Sequence, residues 1–287
     1  MTGRVVTIGN AMADVVAVVP RLPERGGDVL ARSGRIEVGG GGFRALLAAS
    51  RAGADVVYAG RVGTGPLGDL VHVALERAGI PAPLPPVPDA DTGHVLTLVE
   101  PDGERTFATV PGAEQASPLP LDGLLLPGDA LHVHGYGLTA PARAAAVAAV
   151  VAAVPASVVV LLDPGPLAPP DALPLLLPRL DWWSGNTREA AACCGIADPE
   201  DAARAIAGRV RAGAVVRDGA TGCVVAVRGD DPVHLPAPPV RAVDTTGAGD
   251  VHVGTFLAAL VRGAGPVDAA TEANAAAAAS VAAVREG

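Results

Sequence analysis

Short apolar runs that suit strands alternate with longer helical patterns through most of this chain, and no other feature restricts its fold as much. Strand-like runs fall at 5–8, 56–59, 130–133 and 158–162, and helical patterns at 44–52, 67–78 and 142–154. Further on, 202–211 reads as helix, 214–216 as extended chain and 223–227 as a short strand with a hairpin turn at Gly229-Asp230. Two closing helices start at Asp250 and Pro266. Strand and helix in alternation predict an α/β fold with a mostly parallel central sheet flanked by helices. Two stretches break the alternation, 14–38 and 94–110, the second with a turn at Pro101-Asp102-Gly103-Glu104; they read as a small β-sheet set apart. Proline-rich connections at 81–88, 164–170 and 236–239 read as stiff surface loops.

A chain of 287 residues, half of them hydrophobic, supports one main domain with a large core. The net charge is −9, and all 21 basic residues are arginine, with no basic stripe of the kind nucleic acid requires. Without lysine, the Gly-Lys-Ser/Thr of a P-loop is impossible, so that class of nucleotide-binding protein is excluded. Cys193 and Cys194 are adjacent and Cys223 stands alone, which is neither a disulfide framework nor a metal-ligand spacing. They read as buried small apolar residues of a protein in a reducing cytoplasm. The apolar run after Met1 is too brief for a signal peptide and no stretch is long enough for a membrane span. Neither nucleic acid nor membrane is expected as a partner.

The string Asp244-Thr245-Thr246-Gly247-Ala248-Gly249-Asp250, followed by the apolar run 251–261, joins a small-residue turn to a helix start. Successive N–H groups of such a turn point into one concavity that suits anionic oxygen. Asp250 would repel a phosphate there if it were only a cap, whereas a general base for an attacking hydroxyl gives it a purpose. Taken alone, a capping Asp after a glycine turn is the commoner use of such residues.

The full string resembles the second signature of the ribokinase-like (PfkB) carbohydrate kinases, and the similarity extends from Gly9 to Asn274. That resemblance implies the ribokinase-like fold, with 1–287 as one kinase domain and a lid at about 14–38 and 94–110 that also serves as a homodimer surface. It implies ATP and Mg²⁺ as cofactors and a small sugar or sugar derivative as acceptor. Asp250 would be the base, with Gly247, Ala248 and Gly249 stabilising the transferring phosphoryl group.

Other matches fill in the rest. Gly9-Asn10-Ala11-Met12-Ala13-Asp14 is similar to the family segment whose Asp binds sugar hydroxyls, and Glu37-Val38-Gly39-Gly40-Gly41-Gly42-Phe43-Arg44 to the first signature, where Gly39 and Gly40 admit the sugar. Four glycines in a row read as a feature that packing does not explain. Asn186-Thr187-Arg188-Glu189 resembles the family's Asn-x-x-Glu element, which places Asn186 near the nucleotide and Glu189 near Mg²⁺ through water. A helix-capping box is a compatible alternative. Gly219 and Gly222 resemble the loop along the nucleotide, and Asn274 the helix position beside adenine. The chain ends at Gly287, soon after a helix that relatives follow with a cation-binding segment, so potassium activation is left open.

One departure stands out. Arg44 occupies the place where the family usually has a sugar-binding Asn. A guanidinium donates five hydrogen bonds and accepts none, so it suits a carboxylate or phosphate on the acceptor, or else turns outward to solvent. His252 likewise stands where Phe is common. The reading is an ATP-dependent kinase of a sugar or sugar derivative, with an acidic sugar among the candidates. Within the same fold the alternative is a nucleoside or vitamin-precursor kinase, against which stand only seven aromatic residues. A sugar or nucleotide sensor without catalysis is the alternative from another class.

Overall fold

The strands in chain order are Val5–Thr7 (β1), Met12–Val18 (β2), Ser33–Gly39 (β3), Val56–Tyr58 (β4), His94–Val99 (β5), Arg105–Val110 (β6), Ala130–His134 (β7), Val159–Asp163 (β8), Trp182–Asn186 (β9), Gly213–Arg217 (β10), Cys223–Val227 (β11) and Val233–Leu235 (β12). The helices are Gly41–Arg51 (α1), Pro66–Arg77 (α2), Pro141–Ala153 (α3), Leu173–Leu176 (α4), Thr187–Cys194 (α5), Pro199–Ala207 (α6), Ala248–Val261 (α7) and Pro266–Ala282 (α8). The structure is a computed structural model that describes residues 2–165, 169 and 173–283.

Eight strands make the central sheet in the order β12-β11-β10-β9-β8-β7-β1-β4. From β4 to β10 neighbouring strands are parallel, and only β11 and β12 run against their neighbours. The expected mostly parallel sheet is therefore present, with a hairpin at one edge. Its strands read as unbroken apolar runs because both faces are covered. Val6, Leu131, Leu162, Trp183 and Val216 point into the layer that holds α3 and α6. Their neighbours Val5, Ala130, Leu161, Trp182 and Val215 point into the layer that holds α1, α7 and α8.

The remaining four strands form a separate small sheet in the order β3-β2-β5-β6, with β2 and β5 parallel and the outer pairs antiparallel. This is the small sheet set apart that was expected from 14–38 and 94–110. Register puts Asp14, Glu37, Arg35 and Arg105 on one face, and Val15, Ile36, Leu96 and Val110 on the other. The first face is tied to the body by two ion pairs, Asp14–Arg44 at 2.7 Å and Arg105–Asp244 at 2.9 Å.

Several helix boundaries differ from expectation, each for a local reason. The helix expected at 202–211 starts at Pro199, because the Asp198 carboxylate accepts the N–H groups of Glu200 and Asp201, and it stops at Ala207 before Gly208. The helix expected from 44 starts at Gly41, and the one expected from Asp250 starts at Ala248, so Asp250 lies in its first turn. Close packing accounts for part of the glycine run after all. A Cβ on Gly42 would come within 2.6 Å of the Gly9 carbonyl carbon, and one on Gly41 within 2.4 Å of the His134 ring. Gly254 plays the same part in α7, where a Cβ would meet the Ala45 carbonyl at 2.0 Å. Its absence lets α7 lie directly on α1.

Of the cysteines, Cys223 is buried as expected, but Cys193 and Cys194 are only half-buried. The 236–239 connection walls a cleft as well as facing solvent. The connection expected at 164–170 falls mostly outside the described residues.

Candidate active site

Each of four neighbouring parallel strands ends on a polar residue: β7 on His134, β8 on Asp163, β9 on Asn186 and β10 on Arg217. Adjacent parallel strands end at one edge, so these side chains form a row there, at the end of an α/β sheet where ligands bind. The first turn of α7 lies over the row. Arg217 Nη1 donates to the Gly249 carbonyl at 2.9 Å, and ligand-capable atoms of His134, Asp163 and Asp250 lie within 4.8 Å of one another.

Charge balance within the row follows from these contacts. Arg217 is 12 % exposed, with Nη1 3.2 Å from Asp163 Oδ2 and Nη2 3.5 Å from Glu189 Oε2. Burial acts to raise the Asp163 carboxyl, but Arg217 and His134 outweigh it and hold the pKa below the ordinary value. For Glu189 the balance goes the other way: burial and the nearby Asp163 raise it against the pull of Arg217. Asp250 is also raised, first by burial, with His134 and Arg44 opposing.

On one side of Asp250 lies an Arg–Asp pair. Arg44 Nη2 donates to Asp14 Oδ2 at 2.7 Å, and the two side chains are 16 % and 15 % exposed. Arg44 therefore faces inward and is not a surface residue. Its Cδ would lie 3.0 Å from a Cβ on Gly247, and Asp250 Oδ2 would lie 3.4 Å from the same point. Gly247 has φ 73°, the left-handed conformation that favours glycine, so its identity serves both shape and space. Gly39 makes room for the pair as well, since a Cβ there would overlap Asp14 at 2.2 Å. Gly40, with φ 93°, caps α1.

On the other side opens a cleft of about 540 Å³ lined by Asn186, Arg217, Gly219, Gly222, Ala248, Gly249, His252 and Asn274, with apolar walls from Pro238, Pro239, Val240, Ala277, Ala278 and Val281. A flat base fits such walls, and the small residues at its inner end leave space for anionic groups beside the α7 N-terminus. Asn274 is nearly fully buried, and its Nδ2 donates to the Leu235 carbonyl at 3.0 Å, so part of its role is to hold β12 in place.

The residues read from the sequence thus fall into two groups that meet at α7. Asp14, Gly39, Gly40, Arg44, Gly247 and Asp250 form one; Asn186, Gly219, Gly222, Ala248, Gly249 and Asn274 form the other. Glu189 joins the second group only through Arg217. The capping-box alternative is present too: Glu189 Oε2 accepts the Asn186 N–H at 2.7 Å and Asn186 Oδ1 accepts the Glu189 N–H at 2.9 Å. Glu189 Oε2 is thus engaged by both the Asn186 N–H and Arg217. Asp163 is committed to Arg217. Sequence reasoning missed His134, Asp163, Arg217 and Arg105. The signal for the first three was a polar residue closing an apolar strand; Arg105 carried none.

A protein-family model described as "pfkB family carbohydrate kinase" matches residues 2–285. Among curated relatives, an uncharacterized sugar kinase of Escherichia coli (strain K12) is 30% identical over 94% of this chain and 86% of its own length. An ATP-dependent ribose-1-phosphate kinase of Halopiger xanaduensis is 34% identical over 89% and 84%. Among solved structures, Arabidopsis thaliana ribokinase complexed with ribose and ATP superposes with a TM-score of 0.83 at 25% identity, covering 98% of this chain and 93% of that one.

Proposed function

The chain belongs to the pfkB family of carbohydrate kinases, phosphotransferases that act on a hydroxyl group, and from that premise we propose an ATP-dependent kinase whose acceptor is a sugar or sugar derivative bearing an anionic group. The observation that carries the reading is the position of Asp250. Its carboxylate lies in the first turn of α7, at the rim of Gly247, between the Arg44–Asp14 pair and the nucleotide-sized cleft.

In this reading the nucleotide lies in the cleft, its base between the apolar walls and its phosphates at the α7 N-terminus. Asp250 takes the proton from the acceptor hydroxyl as the oxygen attacks the γ-phosphorus, and the bond to the β,γ-bridging oxygen breaks to release ADP. A carboxylate raised by burial is a better proton acceptor than an ordinary one. The N–H groups of Gly247, Ala248 and Gly249 stabilise charge on the transferring group. Glu189, with Asn186, would hold Mg²⁺ through water. That ion, when bound, supplies positive charge to the phosphates. Asp14 binds acceptor hydroxyls, and Arg44 binds the anionic group. The family usually offers an amide there, and the relative named as a ribose-1-phosphate kinase has an acceptor that already carries a phosphate.

We read 1–287 as one catalytic unit whose lid shields the acceptor from water. The outer lid face exposes Ile36, Leu96 and Val110, which supports a homodimer through the lid. Free cysteines suit a cytoplasmic setting, and no described helix is long and apolar enough to cross a membrane. The test is an ADP-release screen over neutral sugars, sugar acids, sugar phosphates and nucleosides. Sugar phosphates or acids should turn over fastest. Preference for neutral sugars or nucleosides would refute the anionic acceptor, and binding without turnover would make the protein a sensor.

A further inference from the structure

An arginine of the lid is tied to the segment just before the phosphate cradle, at a point that bears on catalysis. Arg105 opens β6, the edge strand of the lid, and its guanidinium is 2.9 Å from Asp244 Oδ2 and also hydrogen-bonds the Thr246 hydroxyl. The other oxygen of Asp244, Oδ1, accepts the Thr246 N–H at 2.9 Å. Three contacts thus clamp the turn that leads directly into Gly247. The ion pair is sheltered, with side chains 23 % and 13 % exposed.

We propose that Arg105 is a positioning residue that sets the Gly247–Gly249 cradle only while the lid is down. The inference rests on the reading of the cradle as the phosphoryl-binding turn. An acceptor enters beneath the lid, so lifting the lid must part Arg105 from Asp244. Parting them removes two of the contacts that shape the segment before Gly247, whose left-handed φ leaves that turn dependent on its neighbours. Phosphoryl transfer is then competent with the acceptor enclosed and impaired with the site open to water. In this proposal Arg105 acts through Asp244 and Thr246 rather than by binding the acceptor.

The test uses the full chain as Arg105→Ala, Arg105→Lys, Asp244→Asn and the Arg105→Ala/Asp244→Asn double variant. Two readouts are taken. Hydrogen exchange of the ligand-free proteins over 240–248 should quicken several-fold in Arg105→Ala and Asp244→Asn, with no further change in the double variant. With ATP and the best acceptor from the ADP-release screen, kcat should fall roughly ten- to a hundredfold, the scale of a misplaced catalytic group. Acceptor KM should stay within a few-fold, and Arg105→Lys should recover part of the loss. Unchanged exchange, additive effects in the double variant, or a loss confined to acceptor KM would each overturn the proposal. If the wild-type protein turns over no acceptor, the proposed function fails on its own account, and the exchange measurement still decides whether Arg105 holds the turn.

Discussion

Replacing Arg44 by Ala separates the two halves of the acceptor reading. The guanidinium reaches Asp14 through Nη2 and passes over Gly247, so it sits between the Asp14 carboxylate and the turn at 247–249. If it also receives the acceptor's anionic group, truncation removes a charge-assisted hydrogen bond of about 1.5–3 kcal/mol. At about 1.4 kcal/mol per decade, that predicts a loss of roughly ten- to 150-fold in kcat/KM for a sugar phosphate or sugar acid. A neutral sugar forms no charge-assisted hydrogen bond with the guanidinium, so its kcat/KM should stay within a few-fold of the wild-type value. ATP affinity should not move, because Arg44 does not line the nucleotide cleft. The assay is coupled ADP release with matched neutral and anionic acceptors on both proteins. Equal losses for the two acceptors would refute the anion contact and leave Arg44 as a partner for Asp14 alone.

Asp250→Asn should lower turnover by roughly 10²–10⁴-fold, the range for a lost general base, with ATP binding retained; turnover within a few-fold of wild type would remove Asp250 from the mechanism. Burial raises the pKa of this carboxyl, so the stability it contributes is present at low pH and lost as pH rises through the raised value. The same variant should therefore melt at a higher temperature at neutral pH, and the wild-type rate should fall as pH drops through that raised pKa. Gly249→Val places a Cβ 3.2 Å from Arg217 Nη1, which Asp163 and the Gly249 carbonyl already pin, so KM for ATP should rise and kcat fall. Unchanged kinetics would mean the turn does not meet phosphate. His132 and His252 are buried, with pKa values pushed down to about 3 by burial, so their stabilising effect is complete above the ordinary value of 6.5 and is lost as pH falls towards 3. Each adds about 1.4 kcal/mol per pH unit to the slope of stability across that window. Urea unfolding from pH 7 to pH 5 should show a shallower slope for His252→Phe; an identical slope would show that this ring is not kept neutral by the fold.

The layer order of this protein is legible in its sequence because it depends on local patterns. Apolar runs between helical stretches required a parallel sheet covered on both faces. The glycine turn before 251–261 marked a helix N-terminus, and the two stretches outside the alternation became the small separate sheet. Those signals each come from one continuous stretch of chain, and the physics that makes them, side-chain period and backbone freedom, is local in the same way. The chemistry of the site is less local. Arg217 meets Asp163 from 54 positions away, and Arg105 meets Thr246 from 141. Whether such charges touch depends on strand order, register and the angle at which α7 crosses the sheet, and Gly42 and Gly254 govern that close packing without announcing it in any pattern. Arg44 shows the division most clearly. The chain identified it as the unusual residue, but either orientation, outward or inward, satisfied its position on a helix. Only the packing of α1 against the lid, which brings Asp14 to 2.7 Å, turned the guanidinium into the site, because a charge takes the sheltered position when a partner offsets the cost of leaving water.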